Sequence, residues 1–395
     1  MDTKEFNEII FDPIVCVKCG YCKSKCPTYL AKRDERFSPR GRLTLSYKIL
    51  KERENMSFFD FIRAFEDIDT CSKCGECEKT CPMDLKPYLS FMRAKGKTLP
   101  GKMEIFFAKL ITKNKFLFSL SFIFASKMKK SKYKMRWIRK NPTISENIDV
   151  ANSYPTTVFF PSCFGYTIFS DIREKAEKIL KRFDIDFITA PRNFSCCGAP
   201  LLLAGSTKEF QENQKELIEK IKNEINHRNL NHSPSTILVL GPTCTWVMMN
   251  FYKIQDEFPG VKIKEVSDFI LEKLKEKIEK GEMKIERKEN EKEVTKKEKK
   301  NVKVIIHKPC HEKYDTQDKV SIMKSMGFEV EQTDFPCCGF GGSMFFKYGK
   351  MSDMLLNSLL EPFEKDDVIF LSNSPGCILQ ISRKREAKHI LEFIF

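Results

Sequence analysis

The sequence predicts an α+β multidomain chain, with a helical module at its N-terminus and two repeated α/β domains after it. Three observations carry that reading. An adjacent cysteine pair followed by glycine occurs twice, as FSCCGAP with Cys196, Cys197 and Gly198, and as FPCCGFGG with Cys337, Cys338, Gly339, Gly341 and Gly342. Each pair is preceded by a lone cysteine after a short apolar run, Cys163 in VFFPSC and Cys310 in VIIHKPC, and followed by another, Cys244 in ILVLGPTC and Cys377 in VIFLSNSPGC. The other eight cysteines form two runs near the N-terminus. A repeat that reproduces thiols at matching places implies two copies of one pocket.

A chain of 395 residues exceeds one compact core, so two or three domains are expected. Sixteen cysteines in so long a chain do not fit a small disulfide scaffold, and the opening MDTKEFNEII has no apolar signal core. The thiols are therefore expected to be held by metal in a reducing, cytoplasmic setting. The formal charge of +15 would suit a nucleic-acid binder, but four clusters of the 4Fe-4S type would add roughly −8. With no recognition motif beside it, the charge does not argue for nucleic acid.

Residues 1–98 are expected to form the helical module. CVKCGYCKSKCP supplies Cys16, Cys19, Cys22 and Cys26, and CSKCGECEKTCP supplies Cys71, Cys74, Cys77 and Cys81. This is C-x2-C-x2-C-x3-C-P twice, the ferredoxin-type run in which three close thiolates cap one face of a cubane and the fourth ligates the other cluster. It expects Cys16, Cys19, Cys22 and Cys81 on one 4Fe-4S cluster, and Cys71, Cys74, Cys77 and Cys26 on a second. Zinc is the weaker reading, because zinc ribbons use separated C-x2-C knuckles. The insert between the runs contains RGRLTLSYKIL and FFDFIRAFEDI, both with helical apolar spacing. Arg40 and Arg42 read as solvated surface, with contact to a cluster or partner as the alternative.

Residues 99–150 read as a basic, aromatic helical connector in which Glu104 is the one acidic residue from 102 to 140. Its apolar stretch at 116–125 is too short to span a bilayer. Peripheral membrane contact, or docking to a partner, stands beside the plainer reading that its Phe residues pack on the chain's own domains.

Residues 151–270 and 302–395 form the repeated domains. TTVFFPS, DFITAPR and TILVLGPT read as strands, with DIREKAEKILKRF and TKEFQENQKELIEKIKNEI as amphipathic helices between them. That alternation predicts a parallel sheet with ligands beyond the carboxyl ends of its strands. Residues 271–301, almost all Lys and Glu after the opening turns, read as a solvated linker that cannot bury a core. The second copy runs through VKVIIHKPC, FEVEQTDFPCCGFGG and DVIFLSNSPGC to a closing helix.

With these motifs in view, the chain resembles the D-type polypeptide of heterodisulfide reductase and the Cys-Cys-Gly-domain iron-sulfur subunits of glycolate oxidase, lactate utilisation and anaerobic glycerol-3-phosphate dehydrogenase. The resemblance implies an oxidoreductase with one further iron-sulfur cluster per repeat, on Cys163, Cys196, Cys197 and Cys244 and on Cys310, Cys337, Cys338 and Cys377. It also implies a flavoprotein or membrane redox subunit as partner, and in the reductase a thiol-derived disulfide as substrate. The sequence departs from the family where its closing C-x2-C supplies a fifth thiolate: Gly241 and Ser374 stand there. That departure puts a non-cubane cluster, and with it disulfide chemistry, in doubt. His307 and His311 flank Cys310 and are the expected proton sources if a disulfide is reduced, with a packing role as the plainer alternative. Gly198, Gly339, Gly341 and Gly342 are expected to let backbone approach a cluster. No dinucleotide fingerprint is present, so a flavin would sit on another chain. Two functions stand: a disulfide-reducing subunit, and a relay between a flavin dehydrogenase and a quinone or other carrier.

Overall fold

The computed structural model describes residues 13–128, 157–227, 233–282, 303–312, 319–335, 337–341 and 344–395. Most of the lead, the basic tail of the connector, most of the charged linker and Gly342 lie outside the described residues.

The N-terminal module is helical because its insert carries good start signals. Ser38 and Ser57 accept the backbone N–H groups of Gly41 and Asp60, so the helices Pro39–Lys51 and Phe58–Asp69 begin where those caps stand. Both cysteine runs turn the same way. Lys18 and Lys73 have φ of 55° and 57°, and Gly20 and Gly75 have 84° and 72°, left-handed turns at matching places between the first three thiols of each run.

Arg42 is fully buried, contrary to the expected surface role. Its guanidinium donates to Thr28 Oγ1 (2.9 Å), Phe37 O (2.7 Å), Asp67 O (2.8 Å) and Thr70 Oγ1 (3.1 Å), tying the segment after Cys26 to the segment before Cys71. Arg40 is partly exposed and bonds Lys18 O and Glu35.

The connector is two helices, Leu99–Lys113 and Lys115–Met128, broken at Asn114, whose side chain accepts from Leu117 N. Phe118 and Phe122 are buried against Phe164 of the first repeat, and Phe122 also stacks on Phe340 of the second. Phe106, Phe107, Phe116 and Phe124 are exposed. The aromatic residues thus divide between packing and an open face. Among the described residues no helix is long and apolar enough to cross a membrane.

The repeats form two four-stranded parallel sheets of identical order. In the first, β1 (Thr157–Phe160), β2 (Phe187–Thr189), β3 (Thr236–Val239) and β4 (Lys262–Glu265) lie in the order β2-β1-β3-β4. In the second, β5 (Lys303–Ile306), β6 (Val330–Gln332), β7 (Val368–Ser372) and β8 (Ala387–His389) lie in the order β6-β5-β7-β8. One buried core joins elements of both sheets, and a second joins the N-terminal helices to the first repeat.

Strands β4 and β8 were not evident in the sequence, because KIKE and AKH are short and charged. The closing segment is therefore β8 followed by a short helix, Ile390–Ile394. The stretch after residue 270 also departs from expectation. The helix Val266–Glu279 continues through it and buries Leu271 and Leu274 in the shared core, since these leucines fall on the apolar stripe begun by Val266 and Ile270.

Candidate iron-sulfur sites

In each repeat the chain runs from the central strand to one neighbour and then back to the other side, which opens a crevice at the carboxyl ends of the central pair. The thiols lie there: Cys163 after β1, Cys196 and Cys197 after β2, Cys244 after β3, and Cys310, Cys337, Cys338 and Cys377 after β5, β6 and β7. None of the sixteen cysteines is paired in a disulfide.

All four thiols of the first repeat are buried. They perturb one another: Cys163 is raised by Cys196, and Cys197 by Cys196 and Cys244. In the second repeat Cys337, Cys338 and Cys377 are buried, Cys310 is half-buried, and the sulfurs of Cys338 and Cys377 are 3.2 Å apart. Gly198 and Gly339 follow the pairs with φ of 80° and 81°. In the N-terminal module Cys26, from the first run, lines one cavity with Cys71, Cys74 and Cys77 of the second. Cys19 is exposed, and Cys16, Cys22 and Cys81 are partly so.

The electrostatics of these groups fit a metal cluster. Burial and the neighbouring Cys26, Cys16 and Cys19 push Cys22 up to about 11, and burial with Cys338 pushes Cys337 up to about 12. Cys74 and Cys77 are raised by burial first and by their neighbouring thiols second. Crowded, dry thiols resist becoming thiolates together unless positive charge is supplied among them, and iron supplies it.

The two halves of the molecule meet at a close contact. A Cβ on Gly341 would overlap the carbonyl oxygen of Ser72, so the loop after Cys338 lies directly on the loop between Cys71 and Cys74, and only glycine fits. Ser72 holds down the Cys337 thiol that burial and Cys338 raise, and Cys337 in turn raises Cys74. Behind this contact a buried network centres on Asp69, which meets Lys95 (2.6 Å), Lys347 (3.2 Å) and Tyr348 (3.0 Å). Burial alone would raise the Asp69 carboxyl, but Lys73, Lys95 and Lys347 hold it well below the usual range.

The histidines separate. His311 stacks on Trp246 at 4.5 Å, meets Thr243 Oγ1 through Nδ1 (3.0 Å) and Lys73 O through Nε2 (2.9 Å). It joins the N-terminal module to both repeats, with both ring nitrogens engaged. His307 is buried beside Cys338 and Cys377, and it holds down the Cys338 thiol that Cys377 and burial raise. Gly241 takes φ 108°, and Ser374 caps the helix Pro375–Ile381 by accepting from Cys377 N.

Two family models match this chain. A 4Fe-4S dicluster domain matches residues 14–85, and a cysteine-rich domain matches twice, at 157–249 and 304–382. The chain belongs to the Cys-Cys-Gly-domain iron-sulfur proteins. It is 38% identical to the glycolate oxidase iron-sulfur subunit of Escherichia coli, over 18% of this chain and 16% of that one. It is 23% identical to the D-type polypeptide of the dihydromethanophenazine:CoB–CoM heterodisulfide reductase of Methanosarcina barkeri, over 56% of each. Lactate utilization protein A 2 of Bacillus cereus is 19% identical over 58% of this chain and 90% of its own. The chain thus spans about half the length, or less, of the first two relatives. No solved structure matches it. As a Cys-Cys-Gly protein the chain has thiols suited to iron-sulfur clusters at the N-terminus and in the repeats, and Arg42 is the supporting residue whose burial the sequence did not show. An arginine inside an apolar helical stripe, RGRLTLSYKIL, was the available signal.

Proposed function

We propose that this chain is an electron-transfer subunit of an oxidoreductase, with two 4Fe-4S clusters in the N-terminal module and one iron-sulfur cluster in each repeat. The N-terminal ligands would be Cys16, Cys19, Cys22 and Cys81, and Cys71, Cys74, Cys77 and Cys26. When bound, the clusters supply one-electron chemistry. The observation that carries the reading is the seating of the Gly341 loop on Ser72, which brings Cys337 beside the Cys71–Cys74 loop. The chain's own residues fix that approach: Arg42 holds Thr28 and Thr70, His311 ties Lys73 to Thr243, and Asp69 anchors Lys347.

Relay is favoured over disulfide reduction by the burial of seven of the eight repeat thiols and by Gly241 and Ser374 at the fifth-thiolate positions. The partner would be a flavoprotein or a membrane redox subunit. The open face with Phe106, Phe107, Phe116 and Phe124 among Lys102, Lys109, Lys113 and Lys115 suits such a partner at an anionic membrane surface. Iron, acid-labile sulfide and EPR on anaerobically purified protein test the reading. About sixteen irons, with signals unchanged by a thiol heterodisulfide, support the relay. A new paramagnetic signal on adding the heterodisulfide to the oxidised protein would reverse the choice, and about eight irons would remove clusters from the repeats.

A further inference from the structure

The second repeat holds a buried imidazole beside two of its thiols. His307 stands immediately after β5, with its ring buried. Its Nδ1 lies 3.0 Å from Thr333 Oγ1, while Nε2 is buried and has no hydrogen-bond partner among the described residues. A ring nitrogen of His307 and the sulfurs of Cys338 and Cys377 all lie within 4.8 Å of one another. Ser374, at the fifth-thiolate position, cannot compete, because its hydroxyl is directed at the helix start and accepts from Cys377 N.

The first repeat lacks both parts of this arrangement. Backbone pairing sets the equivalence: Thr333 N donates to Ile306 O as Ala190 N donates to Phe159 O, both at 3.0 Å. His307 therefore corresponds to Phe160, and Thr333 to Ala190. Where the first repeat places a phenyl ring and a methyl group beside its thiols, the second places an imidazole and the hydroxyl that orients it.

We propose that His307 ligates iron through Nε2 in the second repeat, giving a Cys4His donor set with Cys310, Cys337, Cys338 and Cys377, and that Thr333 is the positioning residue. The proposal rests on the reading that the repeats hold clusters. Imidazole nitrogen is an acceptable iron donor, unlike the serine hydroxyl. When Nδ1–H donates to Thr333 Oγ1, the lone pair is left on Nε2, the arrangement that metal-bound histidines ordinarily have. A neutral imidazole in the role of a fifth donor adds no negative charge to the four thiolates that both repeats share, and it gives one iron of the second cluster a coordination that the first cluster lacks.

The test uses the full-length protein, purified anaerobically with 57Fe and 15N-histidine, with iron and sulfide counted first. The expected result is a directly bound 15N coupling in pulsed EPR, and one iron distinct from the rest in Mössbauer spectra, which need no paramagnetic state. The coupling should disappear in His307→Cys, which keeps its iron, changes the Mössbauer parameters of the distinct iron and shifts the second repeat's potential downward. Thr333→Val should keep the iron and alter the coupling. Full iron with no bound histidine nitrogen, or identical Mössbauer spectra in wild type and His307→Cys, overturns the ligand assignment; a weak coupling without an iron bond makes His307 a hydrogen-bond donor instead. Absence of iron from the second repeat in wild type fails the underlying reading, and the iron count separates that result from the others. His311 cannot mimic the signal, since its contribution is unchanged by His307→Cys.

Discussion

The two repeats share strand order and four thiols at matching strand ends, yet the residues around those thiols differ at almost every point that governs chemistry. Phe160 and Ala190 face His307 and Thr333 across the pseudo-repeat, Pro200 faces Gly341, and Glu265 faces His389 at the caps after β4 and β8. The first repeat seals its thiols in apolar packing. The second leaves Cys310 half-buried and presses its cysteine loop against the N-terminal module. A common scaffold fixes where the thiols go, and a few residues just beyond the strands decide what each set can do and what it adjoins.

The largest effect expected from breaking this comparison is loss of one site at a time. Cys338→Ala should remove about a quarter of the iron and spare the N-terminal signals, and Cys197→Ala should remove a similar share from the first repeat. Unchanged iron content in either variant would contradict the corresponding ligand set.

A smaller effect concerns the asymmetric contact. Gly341→Ala places a methyl group into the Ser72 carbonyl and should cost about 2 kcal/mol or more, whereas Pro200→Ala, at the equivalent place in the first repeat, should stay within about 0.5 kcal/mol. Urea denaturation of the anaerobic proteins measures both, and equal costs would remove the asymmetry.

The smallest effect is in pH dependence. Burial, helped by Lys319, lowers the His389 imidazole from its ordinary value to about 3, so it is neutral in the fold and protonates first in the unfolded chain. Its contribution is complete above about pH 6.5 and is lost as pH falls toward 3. Between pH 7 and 5.5 wild type should lose about 1 kcal/mol more than His389→Asn, which retains a capping side chain. Parallel profiles for the two proteins would show that His389 does not titrate in this way. Glu265 has the opposite sense. Burial first, and then Asp268, push it up to about 8, and it accepts from Gly241 N and from Asn373 of the second repeat.

Much of this was legible in the sequence, and the reasons are physical. Cysteine spacing is dictated by the geometry of the group held, so the runs and pairs announce themselves, and the largely apolar strands TVFF and KVII mark centres of parallel sheets. Strands β4 and β8 were hidden because edge strands carry charge, and Leu271 and Leu274 were hidden by the lysines and glutamates around them. The burial of Arg42 and the different fates of His307 and His311 depend on contacts far apart in sequence: His311 reaches Lys73, and His307 reaches Thr333, Cys338 and Cys377. No local pattern encodes those meetings.

The central claim is that the second N-terminal site adjoins the second repeat. Its most direct test is the EPR spectrum of the fully reduced protein beside those of Cys338→Ala and Cys197→Ala. A magnetic splitting of the N-terminal signal that disappears in Cys338→Ala and persists in Cys197→Ala is the predicted result. A spectrum that Cys338→Ala leaves unchanged would contradict it.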